Sequence, residues 1–416
     1  MKNSLGIKDR NFYINSLYLY LSHFADYGMG FIILPFIARM LGPIEIGRIG
    51  IAQTFGAFIL LLIQFGFSLY AVREVARLRD DKIKSRNFIS HIFGFKILLI
   101  PFILLISMLL FLFLPIYRDL TFYLCIVLVG SIAQGMIPNW YFEGIEEIKT
   151  LSIVKTVFRL CAIIFILILV KNEDDAWMVL FAYSLSSICQ FFFLFLKMKR
   201  KIGSLKMTLA IPIKQIFKSS KFSFFISAIP TIYQNICLII LSYMVSPVLI
   251  GYYFASSKIY LGFNNLFSPL GQAFFPKLSN LEYIDSKLAS KEIQKFLPIM
   301  FLLGTSFFTV LYFLSDKIVI LLLGVEYIPS SNILRAFAFV LPLTAISHVI
   351  GRQWLMAKSK DSTYALIQTI SSTTGISILL IFINQYKLIA VPFSLIAYEI
   401  LSITLIAFFL LKQKHA

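Results

Sequence analysis

Long apolar runs broken by short polar or charged stretches recur along the whole 416-residue chain. A run of about 20 apolar residues can cross a hydrocarbon core of about 30 Å as one helix. The runs do not alternate at every second residue, which excludes the strands of a transmembrane barrel. Twelve helices are predicted. The first half holds 12–38, 48–71, 89–114, 119–141, 151–170 and 176–196. The second holds 222–245, 249–274, 296–322, 333–356, 363–384 and 388–411. Asp316 and Lys317 interrupt the ninth and mark its outer end. Pro230 and Pro269 interrupt the seventh and eighth, as static kinks or as bending points.

Two of the polar breaks read alike. GPIEIGRIGIAQ (42–53) and SPVLIGYYFASS (246–257) align Pro43 with Pro247, Ile46 with Ile250 and Gly47 with Gly251, 204 residues apart. Six spans return a chain to its starting side, so two like-oriented halves would each write the same outer turn. Trp140 and Trp354 end the fourth span of each half, 214 residues apart; an aromatic belt alone would also place tryptophans there. The expected fold is therefore an all-α polytopic membrane protein. It has about twelve transmembrane helices in two six-helix lobes, related by a parallel repeat around a central cavity. The lobes are expected at 1–200 and 222–416, with 201–221 as a basic cytoplasmic connector.

Composition agrees: 59% of residues are hydrophobic and 14% charged, too few charges for a soluble globular domain. The net charge of +18 does not point to nucleic acid, because the bases fall in short segments between the apolar runs. One set of alternate loops carries about 26 Lys and Arg and the other about seven, which places both termini in the cytoplasm. Such loops also suit contact with anionic lipid. The N-terminal MKNSLGIKDR is followed by no small-residue cleavage site, so no removed signal peptide is expected. Cys125, Cys161, Cys189 and Cys237 lie singly in apolar runs and read as small hydrophobes. His23, His91, His348 and His415 are scattered, without metal-ligand spacing. No GxxxxGK[ST] phosphate loop is present, so no ATP-driven step, metal or cofactor is expected within this chain.

An ionisable side chain at a helix centre costs about 2.5–3.5 kcal/mol on insertion scales, which makes each one a functional candidate. Lys258, about ten residues into the eighth helix, faces either a lumen or an acid. Lys155 and Arg159 share one face of the fifth span with Ser152, and either line a passage or reach for the cytoplasmic interface. Lys96 and Arg352 read first as interface anchors and second as pathway residues; His348 lies one turn deeper than Arg352. Arg48, beside the outer turn with Arg39, either lines the outer mouth or is an ordinary loop charge. Asp26, which shares a face with His23, and Glu399 either neutralise a base or exchange a coupling proton or sodium ion. Glu143, Glu146 and Glu147 read as solvated. Gln53, Gln234, Asn235, Asn264 and Asn265 hydrogen-bond neighbouring helices or sugar hydroxyls. Buried bases outnumber buried acids on this reading, so a shared cavity would be cationic and suited to a pyrophosphate.

Five stretches resemble one known family. They are LGPIEIGRIGIAQ, QFGFSLYAVREVARLRD, NWYFEGIEEIKTLSIVKTVFRL, SPVLIGYYFASSKIYLGFNNLFSPLGQAFFPKLS and GRQWLMAKSKD, in that order over nearly the whole chain. They are similar to the polysaccharide-biosynthesis exporters, in particular O-antigen flippases, within the multidrug, oligosaccharidyl-lipid and polysaccharide exporter superfamily. The resemblance implies two six-helix lobes around a central cavity and translocation of an undecaprenyl-pyrophosphate-linked sugar unit across a bacterial inner membrane. It also implies the bilayer, and other membrane proteins of polysaccharide assembly, as partners. It carries no catalytic motif. Two alternatives stay open: an ion-coupled multidrug antiporter of the same superfamily, and a membrane glycan polymerase or ligase. The antiporter would need acids to dominate the cavity. The polymerase would need a long outer loop, and every outer connection here is shorter than about 15 residues.

Overall fold

The computed structural model describes residues 28–79, 81–203, 213–358 and 360–415, which form helices and no strand. In chain order these are α1 (Met29–Gln64), α2 (Phe67–Arg77), α3 (Lys82–Phe113), α4 (Thr121–Met136), α5 (Asn139–Gly144), α6 (Ile148–Leu169), α7 (Ala176–Ile202) and α8 (Ile213–Met244). Then come α9 (Pro247–Asn264), α10 (Phe267–Ile284), α11 (Ser286–Phe313), α12 (Ser315–Leu322), α13 (Ser330–Ala338) and α14 (Val340–Ser347). A π-helical run over His348–Leu355 precedes α15 (Asp361–Tyr386) and α16 (Ala390–His415). Eight helical stretches among the described residues are long and apolar enough to cross a bilayer. Gly42 divides one of these into two spans, and the corner at Lys387–Ile389 divides another. The protein is an all-α chain of about twelve spans in two lobes. Its described residues group into two compact units, one running through Ile33 and from Ile51 to Thr231, the other comprising Leu34–Gly50 and Ile232–Ala416.

Lipid explains the uninterrupted rods. A backbone group in hydrocarbon finds no water, so each span must satisfy its own hydrogen bonds as a helix. The outward face of α3 carries exposed Phe102, Leu105, Ile106, Leu109 and Leu112, while Ile89, Ile92, Phe93 and Ile103 are buried. In water such an apolar face would be a liability; against acyl chains it is the ordinary surface.

Several helices outrun their predicted ends because hydropathy registers only the bilayer-crossing part. The second span continues to Arg77 and the eighth to Ile284. Each is followed by an aspartate that starts the next helix. Asp81 accepts from the amides of Ile83 (3.1 Å) and Lys84 (3.0 Å), and Asp285 accepts from that of Lys287 (2.8 Å). The Lys84 amide holds the Asp81 carboxyl below its usual range. Pro230 sits within α8 without ending it, and Pro269 lies in the first turn of α10. The ninth span stops at Phe313, and Asp316 and Lys317 open the short α12.

The repeated turns meet within the second unit. Gly42 adopts φ 68°, a left-handed conformation that glycine takes without penalty, and Pro43 starts the next rod. A methyl group on Gly251 would overlap the backbone carbonyl of Pro43. Reciprocally, one on Gly47 would overlap the carbonyl of Pro247 and lie 3.0 Å from the Gly251 nitrogen. Gly50 faces the ring of Phe254, 2.7 Å from where its own methyl would sit. At Gly47 and Gly251 the contact is backbone against backbone, so no rotamer change can make room there.

Each half also breaks its second span, and the breaks carry matching aromatic clusters. Phe65 (φ 39°) and Gly66 (φ 74°) separate α1 from α2. There Phe95 lies 5.3 Å from Phe65 and 5.6 Å from Phe67. In the second half Phe307 lies 5.3 Å from Phe263 and 5.6 Å from Phe267. At the first break the rings cover left-handed backbone that lipid would not tolerate; at the second, Asn265 and Leu266 keep helical dihedrals and the rings pack against a tightened turn.

Gly251→Ala and Gly47→Ala are each expected to cost about 1–3 kcal/mol through overpacking against backbone. The thermal midpoint of the purified protein measures this, and unchanged midpoints for both variants would contradict the reciprocal seating.

Candidate functional site

The charged residues of the first unit differ in depth and in partners. Arg159 lies eleven residues after the start of α6, about 16 Å along the helix. Its guanidinium stands 4.3 Å from the centroid of the Tyr183 ring of α7. Its Nε is buried and has no partner among the described residues. A guanidinium is weakly hydrated and stacks well on an aromatic face, which lets it sit at this depth. Lys155 is half-buried one turn earlier on the same helix, and Ser152 is fully buried a further turn back. The acids before and at the start of α6 pair with bases: Glu147 with Lys201 in the last turn of α7, and Glu146 with Arg79 at 3.6 Å.

Lys96 is elsewhere and serves another purpose. It is 1% exposed, its Nζ donates to the carbonyl of Gly135 at 2.7 Å, and it lies 5.7 Å from the Phe67 ring centroid. The fourth span breaks at Ile137 and Pro138, so α4 ends with carbonyls that have no helical partner. An ammonium at that end satisfies one of them and meets the negative pole of the helix dipole. No carboxylate pairs with Lys96 among the described residues. The geometry makes it a cap that joins the broken second and fourth spans, neither an interface anchor nor an exposed lining group.

In the second unit, Lys258 lies eleven residues after the start of α9, half-buried, its Nζ 4.7 Å from the Phe254 ring centroid. The neighbouring Ser256 donates to the carbonyl of Ser330 (2.9 Å), tying α9 to α13. Arg48 is exposed and pairs with Glu45, a buried acid on the same turn. Arg39 donates to the carbonyl of Leu321. Arg352 is exposed, and His348 is half-buried with its ring 6.4 Å from that of Phe267. Asp26 and His23 lie outside the described residues.

Glu399 is 6% exposed in the middle of α16. Thr344 of α14 donates to its Oε1 at 3.1 Å, and its Oε2 has no partner among the described residues. Four tyrosines, Tyr233, Tyr260, Tyr364 and Tyr398, lie within electrostatic reach. Tyr233 stacks on Tyr398 at 4.9 Å and shares a 3.1 Å hydrogen bond with Ser394. Gln368 donates to Ser402 at 3.1 Å and accepts from Tyr398. No base lies at ion-pair distance from Glu399 among the described residues, so it does not neutralise a buried Lys or Arg there. Sequence reasoning singled out the acid but missed its tyrosines, which in an apolar run count simply as hydrophobic.

These features describe a polytopic helical membrane protein. Residues 13–282 match the family model described as Polysaccharide biosynthesis protein, and the chain belongs to that family. A protein of Shigella dysenteriae named "Putative O-antigen transporter" is 27% identical over 348 residues, covering 82% of this chain and 85% of that one. One of the same name from Escherichia coli (strain K12) is 24% identical over 401 residues, covering 96% and 97%. The fold is similar to that of the lipid II flippase MurJ in an inward closed conformation, with TM-score 0.71, 17% identity and 95% and 87% of the chains covered. It is also similar to an inward-facing multidrug resistance MATE family transporter of the MOP superfamily, with TM-score 0.75, 12% identity and 96% and 94% covered. These relatives are named as transporters and flippases, and the chain is a multi-pass membrane protein of the family described as Polysaccharide biosynthesis protein.

Lys96→Met keeps the packed stem and removes the cap, and is expected to lower stability by about 1–3 kcal/mol. Thermal unfolding of the purified variant measures it; an unchanged midpoint would remove Lys96 from the structural role assigned here.

Proposed function

We propose that the protein flips an undecaprenyl-pyrophosphate-linked polysaccharide repeat unit, of O-antigen type, from the cytoplasmic to the periplasmic leaflet of the bacterial inner membrane. Both termini face the cytoplasm. The observation that carries this reading is the pair of bases set deep in spans, Arg159 over Tyr183 and Lys258 over Phe254, in a chain of this family. Relatives named as O-antigen transporters align with most of its length.

The physics of the headgroup supports the assignment. A pyrophosphate must leave water before it crosses, and a fixed cation replaces the lost hydration. A guanidinium held on a ring face keeps its N–H fork available for two phosphate oxygens. A dianion leaving a negative interior gains about 4–5 kcal/mol per 100 mV of membrane potential, so the field assists the outward step. Sugar hydroxyls would pass through the polar part of the lumen while the polyprenyl tail stays in lipid. Alternating access then requires the cavity to open first inward and then outward. Lys155, Arg48 and Arg352 stand as secondary lining candidates, and Lys96 acts through the fold. Glu399, buried with Thr344 on its Oε1, is the candidate for exchanging a proton or sodium ion during that cycle.

Arg159→Ala combined with Lys258→Ala is expected to abolish surface polysaccharide in cells that depend on this gene, with protein levels in the membrane unchanged. Wild-type polysaccharide in the double variant would take these residues out of the mechanism. Glu399→Gln is expected to leave polysaccharide production insensitive to a collapsed ion gradient. A response equal to that of the wild type would remove Glu399 from coupling.

A further inference from the structure

The fourth span of each half changes character at its cytoplasmic end, in two different ways. In the first half it stops at Met136, turns at Ile137 and Pro138, and resumes as α5 under the Lys96 cap. In the second half it runs on without a break, but the eight residues His348–Leu355 are π-helical. A π-helical run of that length is rare; most π-helix occurs as single-turn bulges, often at functional sites.

That run also holds polar atoms without a partner among the described residues. His348 Nδ1, Gln353 Oε1 and Trp354 Nε1 are buried without a partner among the described residues. Asn264 Oδ1, at the facing break between α9 and α10, is in the same condition. Gln353 is 5% exposed, and its amide nitrogen presses on Gly271 of α10, where a methyl group would collide with it. Both flanks are anchored. The preceding α14 contributes Thr344 to Glu399. Beyond the run, Lys358 pairs with Glu282 (2.9 Å), bonds Ser286 (3.1 Å) and lies 5.8 Å from the centroid of the Trp354 ring. The run is thus a frustrated stretch between two fixed points. Asn139 Oδ1 and Trp140 Nε1, at the matching place in the first half, are likewise unpartnered, so the frustration belongs to the repeat. What the second half lacks is the clamp, since Phe308 follows Phe307 where Lys96 follows Phe95.

We propose that the π-helical run His348–Leu355 is a conformational joint. It relaxes towards α-helix in a second state, where Gln353, Trp354 and His348 gain partners and the cytoplasmic end of the tenth span is turned relative to α14. Buried polar atoms that are unsatisfied in one state favour any accessible state that satisfies them. The turn would carry Arg352 with it, because it lies inside the run and is exposed in the present state. The transport role of the joint rests on the flippase reading; its existence does not.

The test uses the full-length protein in lipid nanodiscs. The double variant Gln353→Leu, Trp354→Phe removes two unsatisfied groups at nearly constant volume. By amide hydrogen exchange, wild-type 348–355 is expected to exchange faster than α14, and the double variant to exchange about tenfold more slowly in that segment. The variant's thermal midpoint is expected to rise by about 2 °C. In cells, its surface polysaccharide is expected to fall at least about tenfold at equal protein level. Deleting Ile350, which restores an α-helical count, should give the same exchange and polysaccharide results. Slow exchange in wild type, or a lowered midpoint in the double variant, would overturn the joint whatever the substrate is. Slowed exchange with normal polysaccharide would overturn its use in transport. Normal polysaccharide in cells lacking the gene would instead overturn the flippase reading and leave the exchange and melting results standing on their own.

Discussion

Peptide groups in hydrocarbon have no solvent to bond to, and most of this architecture follows from that. It forces helices, and it permits irregular backbone only where protein covers it. The breaks at Gly42, Phe65–Gly66, Ile137–Pro138 and Asn264–Leu266 are each dealt with by a specific device. Backbone packing closes round the first, phenylalanine rings cover the second and fourth, and an ammonium on a helix end secures the third.

The same constraint separates charges that look equivalent in sequence. Lys96 and Lys258 are both lysines inside apolar runs. One is fully buried on a carbonyl, where it completes a helix end; the other is half-buried on a ring face. Arg159 resembles Lys258 in leaning on an aromatic ring. A cation held by a carbonyl at a helix terminus is part of the scaffold, whereas one on a ring face is oriented without closing a helix end. The proposed function therefore rests on Arg159 and Lys258.

How much of this was legible beforehand depends on range. The number of spans, the turns at Pro43 and Pro247 and the short α12 after Asp316 follow from apolar length and local turn chemistry. The Asp81 and Asp285 caps lie in the charged loops, where hydropathy gives no boundary, and the ends of α2 and α10 were misplaced accordingly. The Lys96–Gly135 bond, the tyrosines around Glu399 and the π-helical run depend on contacts between distant spans, which no local period encodes. Arg352 was placed near the cytoplasmic end from its position, but nothing in HVIGRQWL distinguishes a π-helix from an α-helix.

The seating of Gly47 on Pro247 and of Gly251 on Pro43 is an isologous contact, in which a surface meets its own copy. Neither position is free to drift alone, because bulk gained on one side finds no slack on the other. Among relatives the two sites should therefore covary, each turn acting as the mould for its duplicate.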